Sequence, residues 1–341
     1  MENILVTGAG APGGAGIILA LNQNYNVHGA DLDPKATGAP LCKLFHAIPA
    51  ATDSTFIEAL LNICNTHNIK VVVPLVTKEL PIFAAHLQQF AAIGCTVVVN
   101  PPQVLNLCND KHKLLLQMKE MGLAIPKFTA VNTFPQLLDA VTNHGYPQKV
   151  VCIKPAHSNG MRGFRIFDSS ISKQDIFWAH KPNNVYMDPK DLEQTLINQF
   201  PTILVMEYLP GHEYTIDCIA HHGKAELILP RIRTRMNNGI STRGQFVNDS
   251  AVISYCQHII EKLNLHGPIG IQLRNDDNGQ PKMLEINPRL QGTTVAAAGM
   301  GINIPQLIVE QALGQQPQVN AKQLPWGKQF GRYYTEVFWD N

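Results

Sequence analysis

The fold is decided by a stretch that runs from Gly267 to Arg289 and reads GPIGIQLRNDDNGQPKMLEINPR. Apolar and polar residues alternate in both of its halves, a pattern that predicts two β-strands. Between them stands Asn278-Gly279, a dipeptide that two-residue type I′ hairpin turns prefer. Pairing counted outward from that turn sets Gln272 directly opposite Glu285.

The two faces of the predicted hairpin differ in chemistry. Apolar residues share one face: Ile269, Ile271, Leu273, Leu284 and Ile286. Polar residues share the other face: Gln272, Arg274, Glu285, Asn287 and Arg289. Because carboxylate and amide oxygens are hard ligands that suit Mg²⁺ shared with phosphates, Gln272, Glu285 and Asn287 are predicted to bind that metal. A polar face that is simply solvated is the alternative.

A second predicted strand carries positive charge. In the sequence PRIRTR, residues 230–235, Arg231, Arg233 and Arg235 recur at period two and therefore share one face of an extended strand. No acidic residue stands among them, so their guanidinium groups repel one another unless an anion lies over them. We predict an anion-binding face here, and a solvated basic edge of a sheet is the alternative.

The first part of the chain has a different pattern. From residue 3 to about residue 100, short β-branched runs alternate with helical stretches, which is typical of a parallel, doubly wound α/β unit. Its strands are predicted at Ile4–Thr7, Val27–Asp31, Val71–Leu75 and Thr96–Val99. Beyond Pro126 several strands follow one another closely, and this predicts an α+β region with antiparallel sheets.

A glycine-rich loop follows the first predicted strand. Its sequence Gly8-Ala9-Gly10-Ala11-Pro12-Gly13, with Asp31 at the end of the next strand, formally meets the dinucleotide-binding fingerprint. However, Pro12 removes one backbone donor from a phosphate cradle, and tight strand-to-helix turns select glycine for steric reasons. A structural turn is favoured, and an NAD(P)-binding oxidoreductase is kept as an alternative function.

Composition narrows the class of partner. The 341 residues hold 27 basic and 26 acidic side chains, a net charge of +1, with no long block of either sign. This balance argues against a nucleic-acid or anionic membrane partner. Seven scattered cysteines suggest free buried thiols rather than disulfides or a zinc site. With no signal peptide or apolar run long enough to cross a bilayer, a cytoplasmic protein is expected.

Two segments together resemble a known superfamily. The segment EINPR, residues 285–289, and the segment MEYLPGHEYTID, residues 206–217, are similar to motifs of the ATP-grasp superfamily. The closest resemblance is to single ATP-grasp proteins related to the carbamoyl-phosphate synthetase large chain, and it covers nearly the whole chain. It implies a Rossmann-like pre-ATP-grasp α/β domain (1–108), then an ATP-grasp fold with an N-terminal lobe (109–205) and a C-terminal lobe (206–341).

The resemblance implies residues that hold ATP. Lys111 and Lys154 look like the lysines that reach the phosphates, and residues 157–163 look like the mobile flap that closes over them. Residues 207–209 are similar to the hinge that reads and sandwiches adenine, and Glu213 to the acceptor for ribose hydroxyls. The predicted ATP contacts are Lys111, Lys154, Ser158, Gly160, Gly163, Glu207, Tyr208, Leu209, Glu213 and Arg231.

The implied activity is that of an ADP-forming ligase. A small-molecule carboxylate attacks ATP, and an amine-type acceptor takes the acyl group from the acyl phosphate. Arg289, with Arg233 or Arg235, is the candidate to hold that acyl phosphate. Many relatives have an acidic residue at the position of Gln272, so one or two Mg²⁺ ions are expected, with Mn²⁺ as a substitute.

Other features of the prediction concern the acceptor and the competing readings. Gln291, Thr293, Thr294 and Thr77–Glu79 are predicted to face the acceptor substrate. A homodimer contact through residues 316–341 is left open. A non-catalytic ATP-binding sensor is the alternative from a different class.

Overall fold

The computed structural model describes residues 1–158, 160–179, 185–237, 239–316 and 324–339. By contacts the chain divides into two compact units. Unit 1 comprises Met1–Cys108, Tyr214–Gln272 and Ile286–Asn341, and unit 2 comprises Asn109–Glu213 and Leu273–Glu285. The predicted three-domain division stays a prediction. Within the described ranges, every helix is too short or too polar to span a bilayer.

Unit 1 begins with a parallel sheet of order β3-β2-β1-β4-β5. Its strands are β1 (Asn3–Thr7), β2 (Asn26–Asp31), β3 (Leu44–Ala47), β4 (Ile69–Pro74) and β5 (Thr96–Val97). The helices of this segment are α1 (Gly14–Leu21), α2 (Phe56–Thr66), α3 (Leu80–Ala85), α4 (Leu87–Ala92) and α5 (Pro102–Asn109), with a 3₁₀ turn at Ala39–Leu41. The doubly wound α/β prediction is confirmed, although β3 was not predicted.

Both faces of the parallel sheet are covered, which explains its continuous apolar runs. On β1, Ile4 and Val6 pack into one core with Ile17 of α1, whereas Leu5 packs into the opposite core with Phe56. The strand order reverses between β1 and β4, so the carboxyl ends of these two strands form a topological switch point.

A second sheet has six strands in the order β14-β13-β10-β11-β12-β15. The strands are β10 (Glu213–His221), β11 (Lys224–Asn237), β12 (Ile240–Phe246), β13 (Gly267–Asn275), β14 (Pro281–Asn287) and β15 (Gln329–Gly331). They are accompanied by α9 (Ser250–Lys262), a 3₁₀ helix (Thr294–Met300) and α10 (Ile304–Ala312). Pairings β10–β11, β11–β12 and β12–β15 are antiparallel, as predicted.

Unit 2 is built on a four-stranded antiparallel sheet of order β6-β9-β7-β8. Its strands are β6 (Phe128–Thr133), β7 (Val151–Pro155), β8 (Arg165–Phe167) and β9 (Gln199–Glu207). Its helices are α6 (Lys111–Glu120), α7 (Phe134–Asn143), α8 (Lys173–Ala179) and a 3₁₀ turn (Pro189–Leu192). Leu137 of α7 packs on this sheet against Val151, Phe167 and Val205.

The loop between β13 and β14 corrects the predicted turn. Only Gly279 of the Asn278-Gly279 pair has a positive φ, of 76°, so the turn is not type I′. Instead the Gly279 N–H donates to the Asp276 carbonyl, and the Asp276 N–H donates to the Gln280 carbonyl, each over 3.0 Å. The Asp276 carboxylate also accepts the Asn278 and Gln280 N–H groups. The loop therefore spans residues 276–280.

This longer loop removes the basis of the predicted pairing. Asp276 lies opposite Gln280, which differs by one residue from the strand pairing counted from a turn at Asn278-Gly279. The pairing of Gln272 with Glu285 therefore stays a prediction. The division into faces was also partly wrong. Met283, which was not assigned to the core, is fully buried, whereas Leu284, which was, is only half-buried.

Candidate active site

Lys111 is the first residue of helix α6 in unit 2, and its side chain is buried. The Asp110 carboxylate accepts the backbone N–H groups of His112 and Lys113 at 3.0 and 3.1 Å, so α6 begins at Lys111. The Lys111 side chain is 5% exposed, and its Nζ donates to the Ser158 carbonyl at 2.5 Å. Burial, and then the charge of Lys154, lower its pKa to about 8.

The second predicted lysine pairs with the predicted metal carboxylate. Lys154, near the end of β7, lies 3.1 Å from an oxygen of Glu285, and the two side chains are 19% and 23% exposed. Unit 2 thus brings together Lys111, Lys154 and Glu285, although 131 residues separate the last two. The Asp110 carboxylate also acts on Lys111, but it already accepts two backbone N–H groups of α6. The two ammonium groups, so close together, suit a phosphate.

The predicted flap, residues 157–163, adjoins Lys111 through Ser158. Gly160 and Gly163 have φ values of 63° and 75°, a region that disfavours other residues. A Cβ on Gly163 would also lie 2.5 Å from Cγ of Pro155. Asn159 lies outside the described residues. The glycines of this segment therefore follow from backbone shape, and their contact with ATP stays a prediction.

The predicted hinge follows β9 in the same unit. Glu207 ends that strand. Its carboxylate accepts hydrogen bonds from the Lys127 N–H and from Nζ of Lys282, both at 2.9 Å. Leu209 is buried, as expected for a residue that packs on a ring. These contacts fix the carboxylate of Glu207, and its role toward adenine remains untested.

Two cations of the hinge region complete this group. Arg274 donates to the Tyr208 hydroxyl at 2.8 Å, and its guanidinium carbon lies 4.6 Å from the centre of the Tyr208 ring. It also lies 3.6 Å from Glu213, the predicted ribose acceptor. Lys282 was not predicted. The face of β14 on which Lys282 lies could be assigned only once the loop of residues 276–280 was known.

Arg231, predicted to contact ATP, is instead a core residue of unit 1. Its side chain is fully buried and forms an ion pair with Asp217, and it donates to the Thr293 hydroxyl at 2.7 Å. The prediction of three arginines without an acidic partner is therefore wrong for Arg231, because Asp217 on the neighbouring strand β10 supplies that partner. A contact with ATP is not among the interactions of this side chain, and the predicted contact stays a prediction.

The same network holds the residues that follow the metal strand. Gln291 donates to Asp217 at 3.0 Å, and Thr294 donates to the same carboxylate at 2.8 Å. Gln291, Thr293 and Thr294 are all buried. In the structure their side chains are engaged within the chain, and their predicted place beside the acceptor stays a prediction.

The other two arginines of β11 diverge. Arg233 is half-buried and donates to the Ser241 hydroxyl at 3.0 Å and to the Gly239 carbonyl. Arg235 is exposed and lies opposite Arg243 on β12, with a register shift between Arg233 and Arg235. The shared arginine face is thus interrupted, and roles for Arg233 and Arg235 at an acyl phosphate stay predictions.

Arg289 reaches the switch point of the parallel sheet. Its Nε donates to the Thr77 hydroxyl at 3.0 Å, in the segment after β4. Nearby, Glu79 is 6% exposed and accepts the Thr7 hydroxyl at 2.5 Å. Burial, and then the charge of Asp31, raise the pKa of Glu79 to about 7. An arginine and a protonatable carboxyl thus stand where α/β sheets bind ligands.

The glycine-rich loop after β1 is filled by protein. A Cβ on Gly13 would lie 2.7 Å from the backbone of Gly292, and a Cβ on Gly292 would lie 2.1 Å from the Pro12 carbonyl. Asp31, which would bind a ribose in a dinucleotide site, accepts the Gly10 N–H at 2.8 Å. The chain itself therefore occupies the phosphate cradle, which argues against the NAD(P) alternative.

Of the three predicted metal ligands, Glu285 belongs to unit 2, and Gln272 and Asn287 belong to unit 1. Glu285 and Asn287 are two residues apart on β14, and all three side chains are partly exposed. Their shared binding of one ion stays a prediction.

Two segments of the chain match family models. Residues 199–329 match the family described as ATP-grasp in the biosynthetic pathway with Ter operon, and residues 4–98 match the PylC-like, N-terminal domain. The carbamoyl phosphate synthase large chain of Methanoregula boonei is 24% identical over 244 residues, which are 67% of this chain and 21% of that protein. This chain thus spans about a fifth of that curated relative.

Solved structures show the same fold. The L-amino acid ligase from Bacillus licheniformis is similar with a TM-score of 0.65 and 16% identity, covering 92% of this chain and 74% of that one. Biotin carboxylase from Campylobacter jejuni, solved as a β,γ-ATP complex, has a TM-score of 0.68 and 15% identity, covering 96% and 74%. The predicted fold class is confirmed.

Proposed function

We propose that this chain, which contains an ATP-grasp domain, is an ATP- and Mg²⁺-dependent ligase that joins a small-molecule carboxylate to an amine through an acyl phosphate. The observation that carries the proposal is the group formed by Lys111, Lys154 and Glu285. A lysine at 5% exposure beside another lysine is unfavourable in a free protein, and an anion relieves that repulsion. The phosphates of ATP are such an anion.

The donor set also fits a hard cation. Glu285 offers a carboxylate, and Gln272 and Asn287 offer amide oxygens, which are the ligand types that Mg²⁺ takes when phosphates complete its shell. When bound there, the ion would neutralise charge on the transferring phosphoryl group. Lys154 holds Glu285 in the free protein and would turn to the phosphates.

The acceptor end of the reaction is proposed at the switch point. Arg289 is fixed by Thr77 and presents a cation beyond the end of β14, suited to an acyl phosphate or a substrate carboxylate. Glu79, with its pKa near neutrality, is suited to accept a proton from an attacking amine. Both groups belong to unit 1, on segments that the strands β4 and β14 lead into.

The test is a screen for ADP release over a panel of carboxylates paired with amines. ADP is expected only with matching pairs and Mg²⁺. Glu285→Ala serves as the blank, and Lys154→Met is expected to slow turnover at least about 100-fold because it removes a charge from the transition state. Lys113→Met, which changes an exposed lysine of α6, is the matched control and should leave the rate unchanged.

Two results would contradict the proposal. ATP binding without ADP release for any pair would favour a nucleotide sensor. Binding of NADH without binding of Mg·ATP in a calorimetric titration would favour an oxidoreductase instead.

A further inference from the structure

Three histidines meet in unit 1 on elements that the proposed ligase chemistry does not use. His221 is the last residue of β10, His222 follows it, and His266 directly precedes β13. One nitrogen from each imidazole lies within 4.8 Å of the other two, and it is the group of this kind found in the described part of the chain. His221 and His222 are exposed, and His266 is half-buried.

The backbone holds this group in place. His222-Gly223 forms the two-residue turn between β10 and β11, with φ values of 46° and 80°. Such a type I′ turn prefers Asn-Gly, and histidine is, like asparagine, one of the residues enriched in the left-handed region. The Gly223 N–H donates to the Leu265 carbonyl at 2.9 Å, which ties the turn to the segment that carries His266.

The ring geometry brings the nitrogens together. The rings of His222 and His266 stack at 4.3 Å and 15°, and the ring of His221 lies 4.8 Å from His222 and 5.3 Å from His266. The His222 N–H lies 3.4 Å from Nδ1 of His266, a weak hydrogen bond that a metal could replace. Protonated imidazoles this close would repel one another, whereas a shared cation makes their convergence favourable.

We propose that His221, His222 and His266 bind one divalent transition-metal ion of the Zn²⁺ class, with the fourth position open to water. Imidazole suits Zn²⁺, and bonds of about 2.0–2.1 Å in tetrahedral geometry put ligand nitrogens about 3.4 Å apart. Ligand nitrogens that now lie within 4.8 Å of one another must therefore close by up to about 1.4 Å. The stacked rings of His222 and His266 must also rotate so that their in-plane lone pairs point to the same ion. This site is separate from the proposed Mg²⁺ ligands, which are oxygen donors.

A second histidine group shows what distinguishes this one. The rings of His28, His46 and His67 lie 5.0–5.4 Å apart, slightly farther than the 4.3–5.3 Å of the first group. There, however, Nδ1 of His28 and Nε2 of His46 lie 3.1 Å apart and are hydrogen-bonded to each other, and His28 is buried. Two rings of that group are thus bonded directly to each other, whereas in the first group Nδ1 of His266 accepts only a long bond, of 3.4 Å, from a backbone N–H.

The test uses the untagged full-length protein, because a polyhistidine tag would itself bind metal. After treatment with EDTA, the protein is titrated with ZnCl₂ by calorimetry and with CoCl₂ by visible absorption. One equivalent is expected, with the absorption of tetrahedral Co²⁺. His222→Asn keeps the preferred turn sequence while removing the ligand, and it should weaken binding at least about 10-fold, as should His266→Ala.

Three controls make the result decisive. His258→Ala changes an exposed histidine of α9, and His67→Ala changes the second group; both should bind Zn²⁺ like the wild type. Glu285→Ala should also bind normally, and this separates the site from the proposed nucleotide site. Unchanged binding in His222→Asn, or loss of binding in His67→Ala or Glu285→Ala, would overturn the proposal.

Discussion

The buried Lys111 ammonium group is expected to lower the stability of the folded chain and to strengthen its binding of ATP. We expect Lys111→Met to raise the free energy of unfolding of the nucleotide-free protein by about 1–3 kcal/mol at pH 7, because it removes a buried charge beside Lys154. The same change should weaken ATP binding at least about 10-fold, the effect of losing one charge-assisted contact of roughly 1.4 kcal/mol or more. Urea denaturation and calorimetry measure the two effects.

The pH dependence gives this prediction its check. The pKa of Lys111 is about 8 in the folded chain and 10.5 ordinarily, so the unfolded chain binds more protons between these values. Wild-type stability should therefore rise relative to Lys111→Met between pH 8 and pH 10.5. Lys113→Met, on the same helix but exposed, should show no such window, and a constant difference across pH would contradict the prediction.

For Glu79 the pH dependence of stability should have the opposite sign, so that stability falls as the pH rises. Its pKa is raised from 4.5 to about 7, so its contribution to stability is full below pH 4.5 and is lost as the pH rises through 7. We expect Glu79→Gln to be more stable than wild type by up to about 3 kcal/mol at pH 8 and equal to it at pH 4.5. Thermal denaturation across this range measures the difference, with the exposed Glu58→Gln as control.

Some site residues could be predicted from the sequence and others could not. Glu285 and Lys154 stand in recognisable motifs, so their meeting could be anticipated although 131 residues separate them. The burial of Arg231 could not, because its partner Asp217 lies on another strand and a period-two pattern does not show what covers a face. The same limit hid the hydrogen bond from Gln291 to Asp217.

At the scale of elements, the loop at Pro12 and the segment at Gly292 lie against each other in unit 1, and a substitution can test this contact. Gly292→Ala places a Cβ 2.1 Å from the Pro12 carbonyl, and backbone atoms cannot move aside as a flexible side chain would. We expect a loss of about 2–4 kcal/mol in the free energy of unfolding, measured by chemical denaturation.

A neighbouring glycine is the control for that change. Gly299, in the 3₁₀ helix Thr294–Met300, has its nearest neighbour at 3.7 Å, so Gly299→Ala should be neutral or slightly stabilising. Equal stabilities of the two variants would show that the loops are not held in this contact.

Turns were the weakest part of the prediction at this scale. The strands around Asn278-Gly279 were predicted correctly because alternation is a strong signal, but the Asp276 carboxylate captures two backbone N–H groups and lengthens the loop. A local side-chain hydrogen bond thus overrode a dipeptide preference. The short strand β3, whose residues are exposed or partly buried, gave no apolar run to detect.

At the scale of the whole molecule, the first segment of unit 1 depends on the later ones. One core of the parallel sheet joins Ile17 and Ile18 of α1 to Leu227, Phe246 and Met300, far along the chain. We expect a fragment of residues 1–108 to leave this face uncovered and to bind ANS or aggregate, whereas the full chain does neither. Low ANS fluorescence and a cooperative unfolding transition for the fragment would contradict this.

The Lys154–Glu285 ion pair bears on the order in which ligands arrive. A nucleotide alone must draw Lys154 away and leave Glu285 as a bare anion near the phosphates. A divalent cation alone must draw Glu285 away and leave Lys154 beside a like charge. When both arrive together, each member of the pair exchanges one opposite charge for another. Metal and nucleotide are therefore expected to be thermodynamically linked, each strengthening the binding of the other by the same factor.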